Sequence, residues 1–324
     1  MNKLTELKVL PNNDNEVLIR WKITYWCNFR CEYCIQGNHD GVNLMPLDTL
    51  LDHAAKINAF IKENLSDKKI RFVLIGGEIF VYDVYKLFEV LTKDIKNFSL
   101  QITSNFSFPI EKYKKTIDFV LKNNIKYNMV FSYHYQYWKG FDFLDKLKTL
   151  QSYYNDDQIK KLSFNIQYTV TENNLNIVKE QIETVDTYNF KQIKYNVDIE
   201  RAKSMQNAII HSQEVIDFCN QKRLKFNRKN IICTFNDGSE IILTRSDLMT
   251  NYMEYTHTTN GLCKSDNKMF EFNSDNNQLS FRKRLCEKWL SFSKIDADIN
   301  EIVCQKKYCP ICTPGVLIRF PNNF

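Results

Sequence analysis

The sequence predicts an α/β fold: a partial (β/α)6 barrel of the TIM type, followed by a small cysteine-rich α+β module. Strand-like and helix-like segments alternate six times over about 185 residues. Strands separated by helices pair in parallel, because parallel neighbours need a crossover connection. Near residue 200 the alternation stops, and five of the ten cysteines follow residue 260. The chain therefore divides into an N-terminal extension (1–16), a barrel core (17–200), a helical linker (201–229) and a C-terminal module (230–324).

Val17 to Thr24 alternates and is rich in strand formers, which makes it the first strand. Leu47 to Leu65 is the first helix: Leu50, Leu51, Ala54, Ile57 and Ile61 share a face, Pro46 precedes it, and Asp48 is the expected N-cap. Ile70 to Ile75 is a short apolar run closed by Gly76-Gly77, as in a buried strand. Helices at 84–95, 111–121, 141–150 and 175–187 then alternate with strands at 98–103, 127–131, 162–170 and 192–197. Chemistry on such a barrel sits at the C-terminal strand ends. Beyond it, a helix is expected at 201–221, then hairpins at 231–243 and 268–282. A module this small and cysteine-dense needs more than its core to hold it together.

With 324 residues, 44% of them hydrophobic, the chain can build a substantial core, and 25% charged residues argue against wholesale disorder. A net charge of +6 is mild and does not call for a nucleic-acid partner. The densest basic run, Lys222 to Lys229, reads as a solvated helix end or linker. No apolar stretch is long enough to cross a bilayer, and Met1 to Leu10 lacks the apolar centre of a secretory signal. A cytoplasmic protein is expected, whose thiols stay reduced and serve as metal ligands or core residues. Cys219 and Cys233 lie among apolar neighbours and are expected in the core. Because the first barrel strand begins by about residue 17, no separate peptide-recognition domain is expected ahead of it.

Cys27, Cys31 and Cys34 follow the first strand with the spacing Cys-x3-Cys-x2-Cys. Three thiolates on one short loop can ligate three irons of a cubane cluster and leave the fourth open. Structural sites normally close their coordination, and an open position is where chemistry occurs. A zinc site is the other reading of the spacing alone.

This triplet, with the aromatic Tyr33 before its last cysteine, resembles the radical S-adenosylmethionine (SAM) superfamily. The resemblance implies a [4Fe–4S] cluster on Cys27, Cys31 and Cys34 whose open iron is chelated by SAM. It implies reductive cleavage of SAM to a 5′-deoxyadenosyl radical that takes a hydrogen atom from a substrate. Gly76-Gly77-Glu78 matches the family's Gly-Gly-Glu-Pro stretch, which binds the amino group of SAM, with Ile79 in place of Pro. Glycine allows close backbone approach, and an acceptor meets the ammonium in a charge-assisted bond. Ser104 and Asn105 fall where the family's Thr-Asn-Gly reaches the ribose, with Phe106 replacing the Gly. Ser132 matches a SAM-contacting Ser. Gln167, which shares a strand face with Asn165 and Thr169, is a further candidate contact. The adenine is expected near Tyr33. His134, among Tyr133, Tyr135, Tyr137 and Trp138, is a candidate substrate contact; His39 is a weaker one, and His53 is expected to be structural.

Cys263, Cys286, Cys304, Cys309 and Cys312 form a second constellation. It partly resembles the twitch or SPASM-like extensions of the same superfamily, which bind auxiliary clusters. The glycine expected before the second cysteine is absent, and Asn276-Asn277-Gln278 occupies that turn. The expectation is one auxiliary [4Fe–4S] cluster on Cys263, Cys286, Cys309 and Cys312, with Cys304 competing for one place and zinc as the alternative metal. These features imply an oxidative radical SAM enzyme acting on a peptide, a protein or a small polar molecule, reduced by a flavodoxin or ferredoxin. The alternative is a non-catalytic iron–sulfur sensor or assembly protein on a degenerate barrel.

Overall fold

The computed structural model describes residues 4–9, 15–34, 42–200, 211–222, 231–243, 262–265, 269–282, 290–292, 302–303 and 316–319. Strands β1 (Leu4–Val9) and β2 (Glu16–Lys22) precede helix α1 (Leu47–Asn64). Then come β3 (Lys69–Ile75), α2 (Val84–Leu91), β4 (Phe98–Ser104), α3 (Ile110–Lys122), β5 (Lys126–Tyr133), α4 (Asp142–Ser152), the short α5 (Asp156–Lys161), β6 (Leu162–Val170), α6 (Leu175–Thr187) and β7 (Ile193–Ile199). Helix α7 (Gln213–Lys222) is followed by β8 (Ile231–Phe235), β9 (Glu240–Leu243), β10 (Leu262–Ser265), β11 (Met269–Asp275), β12 (Gln278–Arg282), β13 (Leu290–Ser291), β14 (Ile302–Val303) and β15 (Val316–Arg319). The chain forms two compact units, one of Lys22–Asn58 and Val73–Lys225, the other of Met1–Trp21, Ala59–Phe72 and Phe226–Phe324.

In the first unit the sheet order follows the chain, β3-β4-β5-β6-β7. The pairs β4–β5, β5–β6 and β6–β7 are all parallel. The residues leaving β2 join the edge of β3, where the Ile23 N–H donates to the Ile75 carbonyl at 3.1 Å. This is the partial-barrel arrangement that the alternation predicts. One sheet face is apolar and buried: Leu100 and Ile102 on β4, Met129 and Phe131 on β5, Phe164 and Ile166 on β6. Fully burying each such side chain contributes about 1.5–3 kcal/mol. Helices cover that face, as where Tyr133 meets Phe143 of α4 edge-on at 5.4 Å. The opposite face carries half-buried Thr103, Asn128, Ser132, Asn165, Gln167 and Thr169. Parallel sheets packed on both sides are apolar on both. A polar second face suits a barrel interior that receives a polar ligand.

Two helix ends differ from expectation. Helix α1 begins at Leu47, and the Leu50 N–H donates to the Pro46 carbonyl at 3.2 Å. Asp48 thus lies inside the first turn, where its charge complements the helix dipole. Helix α2 stops at Leu91, before the expected end at 95, because Thr92 closes it and Asp94 takes a left-handed φ of 64°.

The second unit contains, among the described residues, a six-stranded sheet in the order β14-β10-β15-β1-β8-β9 with every pair antiparallel. Its inner strand β1 lies in the segment read as an extension. Leu7 stands opposite Ile318 on one side and Cys233 on the other. Strands β11, β12 and β13 pair antiparallel. Asn276 and Asn277, with φ of 48° and 58°, make the β11–β12 turn, and Asn tolerates that left-handed region better than other side-chain residues do. Trp21 Nε1 donates to Ser274 Oγ at 2.9 Å, and Arg282 Nε donates to Glu271 Oε2 at 2.6 Å.

Cys219 and Cys233 are buried, as expected of core thiols. Cys263 falls on the backbone of β10. Cys286, Cys304, Cys309 and Cys312 lie outside the described residues, as do His39, the basic run beyond Lys222 and positions 201–210 of the expected linker helix. No helix among the described residues is long and apolar enough to cross a membrane.

Candidate active site

The cysteine loop leaves the end of β2 and is pinned at once to the end of β3. The Gly77 N–H donates to the Thr24 carbonyl at 3.0 Å, and the Glu78 N–H donates to the Trp26 carbonyl at 2.8 Å. A Cβ on Gly77 would lie 2.1 Å from the Trp26 carbonyl oxygen, and one on Gly76 would lie 2.9 Å from that of Thr24. The expected use of these glycines was close approach to a ligand. What they admit in this structure is the backbone that leads into the cysteines.

Glu78 is wholly buried. Its Oε1 accepts the Phe80 N–H at 3.0 Å and the Ser104 hydroxyl at 2.9 Å, while Oε2 accepts the Asn105 N–H at 2.6 Å. Burial, the largest influence, pushes its pKa from 4.5 up to about 7. Ser104 and Asn105, expected at the ribose, here join the end of β4 to the end of β3. Phe106 holds a left-handed backbone, φ 61°, the region that favours glycine. Its ring is fully buried against Phe131 at 4.6 Å and Tyr113 at 4.7 Å, which offsets a strain of about 1–2 kcal/mol. Lys146 Nζ closes the turn by donating to the Phe106 and Phe108 carbonyls, each at 2.7 Å.

Glu78→Gln tests this hub. An amide can accept from Phe80 and Ser104 but then presents an N–H to that of Asn105, and a buried unsatisfied donor costs about 1–3 kcal/mol. A carboxyl whose folded pKa lies above its unfolded value stabilises fully below about 4.5, and that contribution is lost as pH rises through about 7. The stability advantage of wild type over Glu78→Gln should therefore shrink, by at most about 3 kcal/mol, as pH rises across that window. Chemical denaturation at several pH values measures it, and a gap constant with pH rejects the buried-carboxylate account.

Cys27 is buried, and Cys31 and Cys34 are half-buried. A tight turn brings the Cys34 N–H to the Cys31 carbonyl at 3.1 Å. The Phe29 N–H donates to Cys27 Sγ at 3.4 Å, and Asn105 Nδ2 donates to the same sulfur at 3.7 Å. Burial first, with negative neighbours adding, pushes the Cys27 thiol up to about 11. Burial and then the charges of Cys27 and Cys34 push Cys31 up to about 12. Three thiolates that feel one another's charge in a desolvated loop are stabilised by a cationic partner.

That donor set fits an iron–sulfur cluster. Three cysteine thiols on one short loop are the soft donors that iron–sulfur clusters take.

The turn after β5 grips the cysteine loop from the other side. His134 Nδ1 lies 3.2 Å from Cys31 Sγ and 2.9 Å from the Tyr33 hydroxyl. The Arg30 N–H donates to the Tyr137 hydroxyl at 2.5 Å, the Glu32 N–H donates to Gln136 Oε1 at 3.3 Å, and the Tyr135 hydroxyl donates to the Glu32 carboxylate. Phe29 stacks on Tyr137 with centroids 3.9 Å apart. Tyr33 is buried, its ring near-parallel to those of His134 and Tyr135. Burial lowers the His134 pKa to about 4.

The structure thus brings Cys27, Cys31, Cys34, Tyr33, Gly76, Gly77, Glu78, Ser104, Asn105 and His134 together. Ser132 and Gln167 stand in a separate row with Asn196, one register step across β5, β6 and β7. Gln167 Oε1 there accepts from Asn196 Nδ2 at 2.8 Å. Sequence reasoning missed Asn28, Phe29, Gln136 and Tyr137 as loop supports. The run of aromatics around His134 was the available signal.

No protein-family model and no curated protein matches the chain. Solved structures do. SuiB of Streptococcus suis bound to the precursor peptide SuiA matches with TM-score 0.48 and 14% identity, over 87% of this chain and 63% of that one. Tagged anSMEcpe with bound AdoMet (SAM) matches with TM-score 0.45 and 17% identity, over 83% and 71%. BtrN with AdoMet and 2-DOIA matches with TM-score 0.32 and 11% identity, over 64% and 87%. The chain is similar to solved radical SAM enzymes. It spans less than two thirds of the length of SuiB.

Proposed function

We propose that this chain is a radical SAM enzyme that cleaves SAM reductively and abstracts hydrogen from a substrate. The observation that carries the reading is the loop of Cys27, Cys31 and Cys34 at the C-terminal end of a parallel sheet, held by the ends of β3, β4 and β5. A [4Fe–4S] cluster on those thiolates would supply the electron for SAM cleavage. The residues around it orient and shield. Glu78 and Lys146 set the path of the strand-end turns, Tyr33 is buried within the loop, and Tyr135 and Tyr137 bond to it from its outer side. Gly76, Gly77 and Glu78 form the wall for the amino group of SAM, through backbone atoms because both Glu78 oxygens already accept bonds. Ser132 and Gln167 are the side chains on the polar inner face that reach the rest of the cofactor.

For the tail we propose an auxiliary [4Fe–4S] cluster on Cys263, Cys286, Cys309 and Cys312, with Cys304 competing and zinc as the alternative. The substrate is a peptide, a protein or a small polar molecule. SuiB is bound to a precursor peptide, and BtrN is in complex with 2-DOIA. A flavodoxin or ferredoxin in a reducing cytoplasm is the fitting electron source. The sealed carboxylate of Glu78 favours a second reading, a non-catalytic iron–sulfur protein. Anaerobically reconstituted protein given SAM and dithionite decides between them. Release of 5′-deoxyadenosine is the expected result, and fully loaded protein that releases none is the non-catalytic one.

A further inference from the structure

Two cluster-loop sulfurs each face a nitrogen from a different strand end. Asn105, after β4, directs Nδ2 at Cys27 Sγ at 3.7 Å. Its amide orientation is settled by its neighbours. Oδ1 accepts the Ser107 N–H at 3.0 Å and the Ser107 hydroxyl at 2.6 Å, while Nδ2 also donates to Asn28 Oδ1 at 3.0 Å. The oxygen is engaged, so an N–H is left for the sulfur. His134, after β5, places Nδ1 3.2 Å from Cys31 Sγ. Its ring is held between Phe29, edge-on at 5.6 Å, and Tyr33, parallel at 5.9 Å. Its carbonyl accepts the N–H groups of Tyr137 and Trp138, so the residue heads a closed turn.

We propose that His134 is a positioning residue that donates an Nδ1–H hydrogen bond to the Cys31 thiolate and, with Asn105 on Cys27, raises the reduction potential of the cluster. The proposal rests on the functional reading above. A metal-bound thiolate only accepts, so the imidazole proton belongs on Nδ1, where the Tyr33 oxygen can share it. An electron added to a cluster increases the negative charge on its sulfurs. An N–H donor there stabilises the reduced state more than the oxidised one, and hydrogen bonds to sulfur are among the factors that set such potentials. The catalytic step needs an electron to leave the cluster, so these donors balance ease of reduction against reducing power. On this account the imidazole acts on the cluster ligand and does not touch the substrate.

The test is an EPR-monitored redox titration of the anaerobically reconstituted full chain. The relevant signal is the one that disappears in Cys31→Ala. His134→Leu should keep its iron and shift the midpoint negative by about 59 mV, a tenfold change in a one-electron equilibrium. His134→Gln retains an N–H donor and should recover most of that shift. Should the Leu variant lose the cluster, a Gln variant that stays loaded near the wild-type potential still supports the donor role. An unchanged midpoint in loaded His134→Leu, or cluster loss in both variants, overturns it. Wild-type protein with no signal dependent on Cys31 would instead sink the functional reading itself.

Discussion

Changing any one of Cys27, Cys31 or Cys34 to Ala should remove about four irons per chain and abolish 5′-deoxyadenosine release. The three thiols sit on one loop, and burial and mutual repulsion hold Cys27 and Cys31 well above an ordinary thiol. In a cluster held as proposed, losing one ligand would open a second corner. Altering a residue that only supports a metal ligand already costs about 10–100-fold, so losing a ligand should cost at least about 100-fold in activity. Iron and sulfide counts on anaerobic protein, paired with product analysis, read both effects. Any metal on the tail should remain. A single-cysteine variant with full iron content and undiminished SAM cleavage would place the cluster elsewhere.

Gly77→Ala should be far more damaging than Gly76→Ala, although the two glycines are adjacent. At Gly77 the new methyl would stand 2.1 Å from the Trp26 carbonyl oxygen and 2.8 Å from that of Tyr25. Both obstacles are backbone, which cannot rotate aside. The lead-in to the cysteine loop has to move, and the bonds from Gly77 to Thr24 and from Glu78 to Trp26 go with it. A loss of about 3–5 kcal/mol is expected, in the range of the most disruptive single substitutions, together with loss of cluster binding. At Gly76 the nearest backbone atom is 2.9 Å away, and the other two neighbours are side-chain methyls at 3.2 Å. That contact is also with backbone, but it falls short by far less than at Gly77, so a smaller cost of about 1–2 kcal/mol is expected. Denaturant titration of both variants measures the difference. Equal destabilisation would mean that the loop does not run against Gly77 as described.

Much of the barrel was legible because its local pattern and its burial agree. Along β6, Leu162 to Val170, buried and half-buried residues alternate without a break, and the residue types alternate with them. The cysteine loop and Gly76-Gly77-Glu78 were legible as candidates because their spacing is local. Strand β1 was not legible as part of a sheet. Its partners β8 and β15 lie more than 200 residues away in the chain, and such pairing leaves no local signature. The partners of Glu78 were hidden for a similar reason. Ser104 and Asn105 lie at the end of another strand, and only the parallel register of the sheet carries them to its carboxylate.

By itself the sequence determined the parallel α/β core, the three-thiolate loop and the glycine pair beside it, because each depends on periodicity or spacing within a few residues. Tertiary structure alone decided what those residues do for one another. It turned Glu78 inward as a buried acceptor, set Phe106 in a left-handed turn, and put His134 and Asn105 on the sulfurs of Cys31 and Cys27. The physical reason is that a hydrogen bond to a sulfur or a buried carboxylate depends on distance and desolvation, and both arise only when separate strand ends are packed together.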